Sequence, residues 1–210
     1  MSTEIIQGSP EWFAIRLGKV TASRVADVTA KTKSGYSTSR ANYAAQLVAE
    51  ILTGTPQETY SNAAMQWGTE KEPDARAAYE WRMDVEVAQV GFVIHPTIEQ
   101  SGCSPDGILL DGMVEIKCPN TATHIDTLLG QNVAGKYITQ IQWQMACTNR
   151  KWCDFVSFDP RMPEAMRLFV KRVERDDAMI AELEKEIRTF LAEVNTTVSR
   201  LKTIYLKEAA

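Results

Sequence analysis

Nothing in this 210-residue chain reaches the length of a membrane span; no hydrophobic run approaches the roughly 18 residues a bilayer-crossing helix needs. Met1 to Gln7 lacks the basic start and apolar core of a secretory signal, so a cytoplasmic location without membrane contact is the expectation. Histidine is scarce, and His95 and His124 form no paired metal motif. Cys103, Cys118, Cys147 and Cys153 include no C-x-x-C pair. That argues against a zinc site or a disulfide framework, and leaves small, buried, reduced thiols as the expectation. Internal repeats, low-complexity tracts and Pro/Gly-rich linkers are absent, so residues 1–210 read as a single domain. Excess positive charge is missing too: the net charge is −4, which does not by itself suggest a nucleic-acid partner.

What is present is ordinary globular material, 44% hydrophobic and 24% charged. A chain this long buries roughly 70% of its unfolded surface and needs no staples. Its charge is uneven: residues 1–40 hold six basic and three acidic groups, so an otherwise acidic body carries a locally basic arm. Such an arm could grip phosphates, or it could be a solvated surface. Ser9-Pro10-Glu11 signals a helix start and Gly18 its stop; Thr21-Ala22-Ser23 opens a second short helix. Residues 31–38 suggest a mobile basic loop. Tyr43, Leu47, Val48, Ile51 and Leu52 recur at helical spacing before Gly54, and residues 55–62 suggest a loop. Residues 64–83 predict a helix interrupted or started by Pro73, residues 85–94 one or two strands, and residues 136–149 an amphipathic helix. Trp152–Phe158 and Met166–Val173 predict strands. From Ile180 to Tyr205 one apolar stripe marks a long final helix, which packs on its own chain or covers a neighbouring subunit. The fold class is therefore α/β: a central mixed β-sheet flanked by helices, with a helical N-terminus and a long C-terminal helix.

The chemistry concentrates between Ser104 and Lys117, which predicts a β-hairpin turning at Asp111-Gly112. In that register Leu110 opposes Met113, Ile108 opposes Glu115, and Asp106 opposes Lys117. Side chains alternate along a strand, so Asp106, Glu115 and Lys117 share one face. Two carboxylates offer hard oxygen ligands for Mg²⁺ or Mn²⁺, and an adjacent lysine suits phosphodiester hydrolysis. A cross-strand ion pair explains the same residues without catalysis. Gly68, Glu72, Ala75 and Tyr79 share a helical face, so Glu72 points inward; it is a further metal ligand or the end of a Thr69-x-x-Glu72 capping box. Ser23 near a helix start and Arg16 with its forked guanidinium are both able to hold an anion, and both have plain surface readings. Gln140 shares its helix face with Tyr137, Gln144 and Cys147, and periodicity does not decide its role.

Pro105-Asp106 followed by Glu115-Ile116-Lys117 has the PD-(D/E)xK nuclease signature. Arg16-Leu17-Gly18, Thr21-Ala22-Ser23, Trp67-Gly68, Glu72, Asp74-Ala75-Arg76, Cys103 to Gly107, Cys118-Pro119, Gln140-Ile141-Gln142 and Asp159 to Met162 follow in order. Together, over residues 10–175, these words resemble the phage lambda exonuclease family of YqaJ-like viral recombinases. The resemblance implies a restriction-endonuclease-like core that digests double-stranded DNA 5′ to 3′, releasing mononucleotides and leaving a 3′ single strand. It implies two Mg²⁺ per site, with Mn²⁺ as substitute, a trimeric ring, and a single-strand annealing protein as partner. It also implies a phage or prophage gene expressed in a bacterial host. On matching positions Glu72, Asp106, Glu115 and the Ile116 carbonyl resemble metal ligands. Lys117 resembles the residue that positions water, with Gln140 beside it. Arg16, Ser23 and Ser104 resemble the pocket for a 5′-phosphate, and Met65 an apolar wedge that splays the strands. The family's basic DNA contact near position 123 is replaced here by Thr123, with His124 adjacent. An endonuclease on the same core, and a non-catalytic DNA-end binder that loads an annealing protein, are the competing functions.

Overall fold

The computed structural model describes residues 5–57 and 62–206. Helix α1 (Pro10–Arg16) starts where Ser9 caps it, the Ser9 hydroxyl accepting from the Trp12 N–H at 3.2 Å with Pro10 in the first turn. Gly18 ends that segment at φ +66°; a Cβ there would lie 2.7 Å from Ile51 Cγ1, so the position needs glycine on two counts. Strand β1 (Val20–Thr21) leads into a 3₁₀ turn (Ala22–Arg24) and helix α2 (Val25–Thr29). Residues 31–38 are not a free loop. They hold a small hairpin, β2 (Lys31–Thr32) and β3 (Gly35–Tyr36), which Lys31 Nζ and Tyr36 Oη tie to Glu186 at 2.8 and 2.7 Å. Helix α3 (Thr38–Thr53) ends at Gly54 in the left-handed region, as its sequence predicts. Residues 58–61 of the expected 55–62 loop lie outside the described residues.

Helix α4 (Ala63–Met83) runs on through Pro73 and starts at Asn62, whose side chain accepts from the Met65 N–H at 2.9 Å. The capping box at Thr69 therefore does not form: Thr69 lies inside the helix, and its hydroxyl donates to the Met65 carbonyl. The predicted strand over 85–94 reduces to β4 (Val93–His95) and an isolated bridge between Ala88 and Ile108. The strands form two main sheets rather than one. β4, β5 (Ile98–Cys103) and β1 make the first, in the order β1-β5-β4. The second is β6 (Gly107–Ile108), β7 (Gly112–Lys117), β8 (Trp152–Phe158) and β9 (Leu168–Glu174), in that order. The break falls at Ser104-Pro105-Asp106, where the chain leaves one sheet before entering the other.

β7 and β8 are parallel, so a crossover connects them. It contains helices α5 (Thr121–Gly130) and α6 (Gly135–Thr148), of which only α6 is expected from sequence. Helix α7 (Asp177–Tyr205) closes the chain. Its stripe of Ile180, Leu183, Ile187, Phe190, Val194 and Val198 is buried with Val25, Val28, Tyr43 and Leu47, so it packs on the N-terminal helices; Tyr205 at its end is exposed. All four cysteines are buried and free, as expected. No helix among the described residues is long and apolar enough to cross a membrane.

Candidate active site

The hairpin forms with a different register from the one its turn residues predict. Ile108 opposes Met113 and Gly107 opposes Val114, two residues from the expected pairing. Neither Asp111 nor Gly112 has the positive φ of a type I′ turn. Gly112 is required for a different reason: a Cβ there would meet the Trp152 ring at 2.4 Å. Leu109 is buried beside Val87 and Val114, and Leu110 is thrown into solvent at the tip. A shift of two residues keeps the parity of the strand. Asp106, Glu115 and Lys117 thus stay on one side, while Val114 and Ile116 pack on the other with Ala75 and Tyr79 of α4.

Glu115 is fully buried on β7, and each of its oxygens is taken. Lys117 Nζ donates to Oε1, and Gln140 Nε2 donates to the same atom at 2.6 Å. Gln144 Nε2, one turn further along α6, donates to Oε2 at 2.7 Å. Burial opposes the charge on Lys117, but the carboxylates of Glu115 and Asp106 more than offset it and raise its pKa. Asp106 sits where β5 hands over to β6 and accepts from the Ile116 N–H at 2.6 Å. Its burial, with the charges of Glu115 and Glu72, pushes its carboxyl well above the usual carboxylate range, against the pull of Lys117 and the Ile116 amide. Glu72 on α4 is held by the Arg76 guanidinium, which also donates to the Asp106 carbonyl oxygen at 3.3 Å. With the Gln89 amide turned so that its oxygen faces Arg76, two more bonds of 2.9 and 3.0 Å form.

Among the described residues no three His, Cys, Asp or Glu side chains converge closely enough to cage an ion. The donor set nevertheless fits a hard divalent cation. Its ligands are all oxygen, and the raised Asp106 records negative charge that a cation would neutralise. Arg76 has two other acceptors, so Glu72 can leave it without stranding a buried cation.

Beside this cluster lies a pocket of about 40 Å³, lined by Arg16, Thr21, Ala22, Ser23, Ser104, Gln140 and Gln144. Since about 10–15 Å³ holds one water, it has room for a group of a few heavy atoms. Arg16 has no carboxylate partner among the described residues; its guanidinium lies 3.6 Å above the Trp12 ring, and burial lowers its pKa to about 10. Trp12 Nε1 donates to Ser104 Oγ at 2.8 Å and ties α1 to the loop carrying Asp106. The basic arm is otherwise largely neutralised: Arg24 pairs with Asp27, Lys31 with Glu186 and Arg40 with Glu193.

A model of the YqaJ-like viral recombinase domain matches residues 11–151, which is most of the chain. The chain belongs to that family. The alkaline exonuclease LHK-Exo from Laribacter hongkongensis is 52% identical, with a TM-score of 0.89, over 96% of this chain and 100% of that one. Its complex with dAMP matches at 53% identity with the same TM-score and coverage. A phage-related exonuclease from Haemophilus somnus 129PT shares the fold, at 15% identity and a TM-score of 0.72, over 87% of this chain and 96% of that one. No curated protein matched. This family member is an exonuclease, a phosphodiester hydrolase.

The structure brings Asp106, Glu115, Ile116, Lys117 and Gln140 together, places Glu72 against Arg76 at their edge, and gathers Arg16, Ser23 and Ser104 around the adjacent pocket. Met65 stands apart near the start of α4 and is 54% exposed, so it is no core residue. Thr123 is exposed on α5, while His124 is buried between Ser157 Oγ and the Met166 carbonyl at 2.8 Å each, and so is structural. Sequence reasoning missed Gln144, Arg76 and Trp12 as parts of the site. Gln144 carried a signal, its four-residue spacing from Gln140.

Proposed function

We propose that the chain is a Mg²⁺-dependent 5′→3′ double-stranded DNA exonuclease that releases mononucleotides and leaves a 3′ single strand for an annealing protein. One observation carries this: Gln140 lines the Arg16 pocket and also donates to Glu115. A chain end seated in the pocket therefore lies next to the acidic cluster. Arg16, a partly dehydrated guanidinium with no carboxylate ion pair among the described residues, suits a terminal phosphate, with the hydroxyls of Ser23 and Ser104 completing the cradle. The dAMP bound by the Laribacter enzyme agrees with a nucleotide product.

Two Mg²⁺ held by Glu72, Asp106, Glu115 and the Ile116 carbonyl would polarise the scissile phosphate, acidify the attacking water and neutralise the leaving oxygen; Mn²⁺ suits the same oxygen ligands. Lys117, anchored on Glu115, orients the water and balances charge in the transition state. Gln140 keeps Glu115 in one rotamer from the helix side. Exposed Met65 acts as the wedge that parts the strands, and three copies of the chain form a ring around the duplex. The test offers linear and covalently closed circular duplex, with Mg²⁺ or with chelator. Loss of the linear form alone, and only with Mg²⁺, is expected. Equal loss of the circle would replace the exonuclease with an endonuclease.

A further inference from the structure

Gln144 is 1% exposed, and its amide is oriented by chemistry. A carboxylate only accepts, so the NH₂ group must face Glu115 Oε2, 2.7 Å away. Its carbonyl oxygen is thereby fixed on the other side, where it is buried and accepts no hydrogen bond from the described residues. Buried acceptors left open in a folded protein call for an explanation, and a ligand is one. Gln144 lines the same pocket as Arg16, Ser23 and Ser104, so this side chain has one end on the catalytic carboxylate and stands at the end-binding pocket.

We propose that Gln144 is a positioning residue that links recognition of the chain end to hydrolysis. Its NH₂ group holds the inner oxygen of Glu115. Its carbonyl oxygen accepts from a hydroxyl-type donor that enters with the terminal phosphate, either a hydrating water or a protonated phosphate oxygen. Filling the pocket then fixes the amide, and the amide fixes Glu115. This rests on the reading of the protein as an exonuclease acting at 5′-phosphate ends.

The test measures kcat and KM on linear duplexes with 5′-phosphate or 5′-hydroxyl ends, for the wild type and for Gln144→Met, which keeps the length and removes both hydrogen bonds. Loss of a bond to a buried charge lowers kcat on phosphate ends by about 10- to 100-fold. The ratio of kcat on phosphate to kcat on hydroxyl ends moves toward one. Binding of phosphate ends in chelator, read by fluorescence anisotropy, changes by less than about threefold, because Arg16 remains. The same ratio read from Gln144→Ser keeps the test decisive if the Met variant folds poorly. A retained ratio, with kcat unchanged or reduced equally on both ends, overturns the proposal. A wild-type ratio near one overturns the 5′-phosphate reading itself, and this proposal with it.

Discussion

Lys117 neutralises a fully buried carboxylate, and that is a measurable debt to charge balance. Glu115 is fully buried and lies beside Asp106, with Glu72 close behind. Replacing Lys117 with Met keeps the bulk and removes the only cation bonded to Glu115 among the described residues. Breaking a buried pair from one side costs about 3–5 kcal/mol. The Lys117 side chain is 28% exposed, so water screens part of the loss and the lower end, about 3 kcal/mol, applies. For a chain of this size that lowers Tm by about 6–12 °C. The assay is thermal unfolding followed by circular dichroism in chelator at neutral pH. Adding Glu115→Gln to Lys117→Met removes the stranded charge and should recover more than half of the loss. Adding Mg²⁺ to the single variant should also raise its Tm, while turnover stays several orders of magnitude below wild type. Equal melting of the Lys117→Met variant and the wild type in chelator would refute the charge argument, and wild-type turnover would remove Lys117 from the mechanism.

Arg16→Ala should weaken binding and cleavage of 5′-phosphate ends by about 10- to 100-fold and leave 5′-hydroxyl ends nearly unchanged, in the same end-binding and digestion assays. Asp159 is buried, which opposes ionisation, but Arg161 bonds both its oxygens and Thr121 assists, lowering its pKa to about 2. A depressed acid stabilises the fold above its unfolded value and loses that contribution as pH falls toward 2. Asp159→Asn should therefore remove roughly 2 kcal/mol at neutral pH and flatten the stability loss between about pH 4 and pH 2, read from denaturant titrations. Gly18→Ala should cost about 2 kcal/mol in the same titrations, because the left-handed φ and the contact with Ile51 both resist a Cβ.

Periodicity recovered α7, whose burial is one-sided and whose apolar residues recur at one spacing over many turns. The β7 and β8 strands are buried on both faces and were legible as short, mostly apolar runs. The hairpin register was not legible, since Asp111-Gly112 carries a strong turn signal. Packing overrode it: Leu109 is drawn into the cluster with Val87, and Gly112 is needed beneath Trp152. The site survived that error because a two-residue slip preserves faces. The division into two sheets was hidden, since pairing partners far apart in sequence leave no local trace. Glu72 could not be decided locally because Thr69-x-x-Glu72 imitates a cap, and only the helix start at Asn62 removes that option. Arg76 carried a signal in its four-residue spacing from Glu72, but its bond to the Asp106 carbonyl, 30 residues away, and that of Trp12 to Ser104, 92 residues away, are announced by no spacing.

Polarity is the central claim, because the Arg16 pocket is assigned to a 5′ end. The direct measurement follows one linear duplex with 5′-phosphate ends, labelled on one strand at its 5′ end in one sample and its 3′ end in the other. With Mg²⁺, the 5′ label should appear at once as a mononucleotide, while the 3′ label persists in long single strands. Early release of the 3′ label as mononucleotide, with the 5′ label retained in long products, would contradict the account.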